Sequence, residues 1–356
     1  MPLLDDRAAV TAHDPSGFVG LVEDFPEQCL RTLEIVRGTP LPDAMSGVES
    51  VVLTGLGGSA AGGDFAKGLY DTQSTVPFQV NRDYHLPHWV GIRSLVFAAS
   101  YSGNTEETLA AYDEAKGRGA KIVAVTSGGA LADKAKADGY PLVVVPGGQP
   151  PRTALGYMLM PVVYASDKFG LLPKQDYEGV IATLFEARDR FGLARPQLHN
   201  DAKQLAEQLS GKVGLLYAAG AWQAGVANRW KGQINENAKE MVFTHVFPEL
   251  CHNEILGWEG SAKQGVASWL TVLLLGGDES PRMLARIAAT FSLIEDKTSF
   301  AKASGFGESL LARMLSLAHF GDYVSVYMAA LAGRDPAAMV AIDRLKAELA
   351  KIDAPA

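Results

Sequence analysis

The chain of 356 residues is poor in cysteine, in runs of basic charge and in long apolar segments. Cys29 and Cys251 are its only cysteines, too few for a disulfide framework or a cysteine zinc site. The expected setting is a reducing cytoplasm. No run of five or more basic residues occurs and the formal net charge is −8, which argues against nucleic acid as the main partner. An anionic substrate would have to be drawn by local groups and not by the overall field. The longest apolar stretch, around VASWLTVLLL, runs for about ten residues, whereas a helical bilayer span needs about twenty. The opening MPLLDDRAAV has neither a basic n-region nor an apolar h-region and does not read as a signal peptide.

What the chain does have is apolar content, 47%, enough for a large core in two domains or one large α/β unit. FVGLVEDFPEQCLRTLEIVRG predicts a first amphipathic helix with a possible break at Pro26. VESVVLTGLGGSAAGGDFAKGLY reads as strand, glycine-rich turn and helix. PFQV, SLVFAAS, KIVAVT and PLVVV are further strands, and NTEETLAAYDEAK is a helix. Short apolar strands alternating with helices predict an α/β fold: a parallel sheet covered on both faces. The grammar then restarts. KVGLLYAAGAWQAGVANRWKGQ and SWLTVLLLGGDESPRMLARIAATFSLI place Gly220 where Gly55 stood and Gly276 where Ser100 stood. A degenerate duplication follows: two three-layer α/β/α sandwiches, only the first of which keeps its hydroxyls. The last helix is expected to begin with Asp335 as N-cap and Pro336 in its first turn. Its inward face should hold Met339, Ile342, Leu345 and Leu349, and Lys346 falls on that same face.

Two glycine- and hydroxyl-rich turns stand out. Gly55, Gly57, Gly58 and Ser59 directly follow a strand, where glycine lets a ligand approach the backbone and a helix start offers free N–H groups. A dinucleotide fingerprint would need an acid after the next strand, but PFQV exits into Asn81 and Arg82. A nucleophile elbow fails because Ala61 replaces its last glycine. In SYSGNTEETL the hydroxyls of Ser100, Ser102, Thr105 and Thr108 crowd a helix start. Ser102 or Asn104 would cap that helix, but capping leaves the other hydroxyls and Gly103 without a role. Several hydroxyls beside free N–H groups are what a phosphate with several acceptor oxygens requires.

GLGGS followed by SYSGNTEET resembles the sugar isomerase (SIS) domain, which binds phosphosugars at strand ends. PRTALGYM, QINENAK, FPELCHNEILGW and the terminal DP…IDRLK resemble the bifunctional phosphoglucose/phosphomannose isomerases of archaea and bacteria, from about residue 45 to 350. The resemblance implies two SIS-type sandwiches in a homodimer. The expected division is a helical segment over 1–40, a phosphosugar-binding sandwich over 41–165, a helical linker over 166–205, a second sandwich over 206–332, and a C-terminal helix over 333–356 that returns to the site.

The reaction implied is metal-independent interconversion of glucose 6-phosphate, mannose 6-phosphate or both with fructose 6-phosphate, with no cofactor. Such chemistry needs a base above C1 and C2, ring-opening groups and a grip on the remote phosphate. By resemblance Glu236 is the base, His252 a ring-opening acid/base contributed across the subunit interface, Lys346 the second ring-opening group, and Arg152 lies near the phosphosugar. Gly58, Ser59, Ser100, Ser102 and Thr105 would hold the substrate. Each has an ordinary alternative: an exposed helix glutamate, a core or capping histidine, an outward-reaching lysine, a loop salt bridge. A metal pair of His252 with Glu254 or His245 fits no strong zinc spacing.

The chain departs from the family pattern at Ala60 and Ala61, and at Ala337, Ala338 and Met339, which leave no hydroxyl where a threonine linked to acceptance of both C2 epimers is usual. Dual specificity is therefore open. The competing expectations are a non-catalytic phosphosugar-binding regulatory protein and, disfavoured by the missing acid, a nucleotide-dependent oxidoreductase. Neither a membrane nor a nucleic acid is expected as partner.

Overall fold

The computed structural model describes residues 2–349 and 351, without the side chains of Lys346 and Leu349. Short N-terminal helices α1 (Arg7–Thr11), α2 (Phe18–Glu23) and α3 (Phe25–Gly38) come first. The break expected at Pro26 falls at Asp24, and Pro26 sits in the first turn of α3, where its missing N–H costs nothing.

Strands β1 (Ser50–Thr54), β2 (Phe78–Asn81), β3 (Ser94–Ser100), β4 (Lys121–Thr126) and β5 (Leu142–Val144) form a parallel sheet in the order β2-β1-β3-β4-β5. All of β3 is buried, as an unbroken apolar run between two helical layers must be. Helices α4 (Gly57–Gln73), α5 (Glu106–Gly117) and α6 (Gly129–Asp138) make the crossovers. Then α7 (Leu155–Lys168), α8 (Tyr177–Phe191) and α9 (Asp201–Leu209) lead to a second parallel sheet. It contains β6 (Gly214–Ala218), β7 (Val242–Val246), β8 (Leu270–Leu275) and β9 (Ser299–Ser304), ordered β7-β6-β8-β9. Its helices are α10 (Ala221–Gln233), the short α11 (Glu254–Gly257) and α12 (Pro281–Ile294).

The second order repeats that of β2-β1-β3-β4, which is the duplication expected from the two glycine turns. Neither β7 nor β9 is among the strands expected from sequence. Each has a single buried residue, the others being half-exposed or exposed, so neither carries a continuous apolar run. Helix α13 (Leu310–Leu331) is apolar all round and buried along almost its whole length, packing on α8, α9 and α10 between the halves.

The C-terminal helix departs from expectation. α14 spans Val340–Leu349, so Asp335 is not its N-cap. Asp335 Oδ1 instead accepts the Ala337 N–H at 2.8 Å, closing a turn before the helix. The inward face is not formed either: Ile342 and Leu345 are exposed. Met339 precedes the helix and is half-buried, while Leu349 and the Lys346 side chain lie outside the described residues. The apolar spacing was real, but helical periodicity does not specify which surface receives it.

Candidate active site

The carboxyl ends of β1 and β3 lie side by side, and each runs into one of the two polar turns. A Cβ on Gly58 would stand 2.5 Å from the Pro151 carbonyl oxygen. Only glycine lets the turn Pro151–Thr153 press so closely on the start of α4, and that approach delivers Arg152 to the helix. The second turn is drawn tight by Gly103, at φ +72°, whose Cβ would collide with the Gly128 carbonyl oxygen at 1.8 Å.

The hydroxyls are mostly engaged with this backbone. Ser59 Oγ accepts the Tyr101 N–H at 3.0 Å and so ties the two turns together. Ser100, fully buried, accepts the Gly103 N–H at 3.1 Å and pairs with the Thr105 hydroxyl at 2.8 Å. Ser102 is exposed and accepts the N–H of Asn104, two residues on, at 3.3 Å. Capping differs from expectation. α5 starts at Glu106, Thr105 takes the N-cap position without a side-chain capping bond, and Asn104 Oδ1 accepts the Ala130 N–H of α6. Tight closure against Gly128 turns Asn104 toward the next helix. Thr108 is buried within α5.

A cleft of about 390 Å³ opens between α4 and α10, lined among others by Gly57, Gly58, Arg152, Arg229, Gln233 and Glu236. Glu236 sits in a π-helical turn, Ile234–Ala238, that continues α10. Its side chain is 35% exposed, and Oε2 lies 3.4 Å from Arg152 Nη1. It is therefore not an ordinary surface glutamate. Arg152 is buried, donating from Nε to Asn237 Oδ1 at 2.8 Å, from Nη1 to Met339 Sδ at 3.0 Å and from Nη2 to the Pro336 carbonyl at 2.6 Å. Burial lowers its pKa, opposed by the Glu236 and Asp335 carboxylates. A second cavity, about 680 Å³, lies between Glu236, Lys239, Met339 and α14.

His252 is exposed at the end of the turn Glu249–His252 and lines neither cavity. Phe247, Leu250 and Trp258 of its apolar frame are buried, whereas Leu256 is exposed, so His252 is not a core histidine. The neighbouring Glu254 is the engaged residue. His245 Nδ1 lies 2.6 Å from its Oε2, the Tyr217 hydroxyl donates to it, and Trp258 Nε1 donates to the Tyr217 oxygen at 2.9 Å. Among the described residues, no three of His, Cys, Asp and Glu converge on a cation-sized space. No described helix is long and apolar enough to cross a membrane.

The structure thus brings Gly58, Arg152 and Glu236 to one cleft, with Ser59, Ser100 and Thr105 bracing the adjacent turns. It does not bring His252 there within one chain. Sequence inspection missed Arg229, Gln233 and Asp322. The only available signal was the spacing of Arg229, Gln233 and Glu236 at i, i+4 and i+7, which places them on one helical face.

A family model described as the bacterial phospho-glucose isomerase C-terminal SIS domain matches residues 198–349, and the SIS domain model matches 45–140. The bifunctional phosphoglucose/phosphomannose isomerase of Caldicellulosiruptor bescii is 40% identical over 93% of this chain and 98% of its own length. The enzyme of that name from Aquifex aeolicus is 37% identical over 85% of this chain and 91% of its own. A glucose-6-phosphate isomerase like protein from Thermus thermophilus has a similar fold. Its TM-score is 0.62 at 21% identity, covering 95% of this chain and 99% of that one. With relatives of this identity over nearly the full length, the chain belongs to the bifunctional phosphoglucose/phosphomannose isomerase family.

Proposed function

We propose that the chain interconverts glucose 6-phosphate, mannose 6-phosphate or both with fructose 6-phosphate. The observation that carries this reading is the Glu236 carboxylate, held beside the Arg152 guanidinium on a cleft that starts at the glycine-rich turn of α4. In the aldose-to-ketose direction Glu236 removes the C2 proton, and the C1 carbonyl becomes a cis-enediolate. The proton is returned at C1 while the C2 oxygen becomes the carbonyl. No electrons leave the substrate, so no redox cofactor is needed. C2 is planar in the intermediate, which lets one base serve both epimers. Arg152 supports developing negative charge on the enediolate oxygens.

The phosphate is assigned to the turns after β1 and β3, through backbone N–H groups near Gly58 and the hydroxyls of Ser59, Ser100, Ser102 and Thr105. Ring opening is assigned to His252 and Lys346. Exposure of His252 away from its own cleft supports its use across a homodimer. In this reading 41–165 binds the phosphate, 206–332 supplies Glu236 and His252, the helices of 166–205 join them, and 333–356 brings Lys346. The free thiols of Cys29 and Cys251 fit a reducing cytoplasm.

A coupled assay run in parallel from glucose 6-phosphate and mannose 6-phosphate tests the reaction and its epimer preference. Glu236→Gln should lower kcat by about a thousandfold while fructose 6-phosphate still binds. Turnover within tenfold of the unaltered chain would remove Glu236 as the base. Binding without turnover in the unaltered chain would return it to the regulatory phosphosugar-binding reading.

A further inference from the structure

Three arginines line the cleft, and two of them, Arg152 and Arg229, are buried there, whereas Arg82 is exposed. Arg229 stands on α10, lines the cleft and is only 8% exposed. Its Nη2 donates to Asp322 Oδ2 at 2.7 Å and to the Arg152 carbonyl at 3.2 Å. Asp322, on α13 and 3% exposed, receives the Gln233 amide on its other oxygen at 2.8 Å. One buried carboxylate therefore fixes two cleft-lining side chains. The same helix also steadies Arg152. Ser325 accepts from Asn237 Nδ2 at 2.9 Å, and Asn237 in turn accepts from Arg152 Nε.

The Arg229 guanidinium is nonetheless left with donors to spare. Nε is buried without a partner, and Gln233 Oε1 is likewise unpartnered. Nη1 has no hydrogen bond among the described residues, on a side chain that lines the cleft. With Nη2 pinned on Asp322 and Nε sealed, Nη1 is the end of the guanidinium left to donate to a ligand oxygen from the cleft wall. Arg229 precedes Glu236 by seven residues on one helical run, so their Cα atoms are offset by about 10 Å along the axis.

We propose that Arg229 is a substrate-binding residue that donates to phosphosugar oxygens remote from C1 and C2, and that Asp322 is its positioning residue. The proposal rests on the isomerase reading for the identity of the ligand class. Arg229→Gln should raise KM for the hexose 6-phosphate that is turned over by about tenfold or more, with kcat within about threefold. Arg229→Lys should recover part of the loss, and Asp322→Asn should raise KM without touching the substrate. Because Arg229→Gln strands a buried carboxylate, the double variant Arg229→Gln/Asp322→Asn keeps the measurement readable if the single variant unfolds.

An unchanged KM in folded protein, or a loss of rate that tracks the folded fraction alone, overturns the proposal. Inhibition by inorganic phosphate locates the contact: weakened in parallel with KM, it is at the phosphate; unweakened, it is at a sugar hydroxyl. Calorimetry with fructose 6-phosphate reads the same contact without turnover. A chain that binds this ligand but does not isomerise would remove the Glu236 reading, while a tenfold weaker Kd in the Arg229 variant would still uphold this one.

Discussion

Gly58 carries more of the site than any side chain on the first turn. Its absent Cβ lets Pro151 approach, and Arg152 is the next residue. Gly58→Ala must displace either the helix start or the turn, since the obstructing atom is a backbone carbonyl. The expected result is a KM at least about tenfold higher together with a lower Tm. Unchanged values of both would mean that the close approach has no part in the site. Arg152 is the residue whose surroundings were least readable beforehand. Its partners Asn237, Pro336 and Met339 come from the π turn and from the segment before α14. Met339, which offers no hydroxyl, is thus an Arg152 partner at the edge of the Glu236 pocket. The parallel assay of the two aldose epimers therefore bears directly on this residue.

Among the elements, α13 has the clearest pH signature. His319 is buried between Phe25 and Tyr323, with Nε2 2.8 Å from the Val22 carbonyl oxygen. Burial lowers its pKa to about 4, against the Asp322 carboxylate and the Val22 carbonyl, which pull the other way. Arg229 and Arg188 add to the lowering. Above about pH 6.5 neither the folded nor the unfolded chain holds this proton, so it has no effect on stability. As pH falls from about 6.5 to 4 the unfolded chain takes up a proton that the folded chain refuses. Stability then declines by up to about 1.4 kcal/mol per unit, about 3 kcal/mol in all, and not further below pH 4. Urea unfolding of the natural chain and of His319→Phe at pH 7 and pH 4.5 checks this. The gap between them should shrink or reverse at the lower pH, and a gap independent of pH would refute it.

The strands β1, β3, β4, β6 and β8 were legible because strands covered on both faces need unbroken apolar runs. β7 and β9 were not, because half-exposed strands lack that pattern. The exposed Ile342 and Leu345 of α14 make the same point in reverse.

For the molecule as a whole, assembly decides whether the site is complete. His252 lies on the surface of the chain and Glu236 in its cleft, so a trans site predicts complementation. Glu236→Gln and His252→Ala should each be inactive alone. Mixed and allowed to exchange subunits, they should recover about a quarter of the natural specific activity, because each mixed dimer rebuilds one of its two sites. No recovery under conditions where exchange is demonstrated would place His252 in its own subunit's site or outside the chemistry. The dimer itself was expected from resemblance only, since no composition or spacing encodes a subunit interface.

Local backbone chemistry was written into the amino-acid order. Strand, glycine turn and helix recur twice because apolar runs, glycine and helix-start residues act on their immediate neighbours. The hydroxyl-rich turn pointed to an anion for the same reason: free N–H groups and short side chains lie within a few residues of one another. The reacting cleft depended on contacts between distant segments. Arg229 meets Asp322 across 93 residues, and Arg152 meets Asn237 across 85. Helical spacing alone could have turned Arg229, Gln233 and Glu236 toward water. The packing of α10 against α4 and α13 placed them in a cleft, where removal from solvent gives each unfilled donor and acceptor its force.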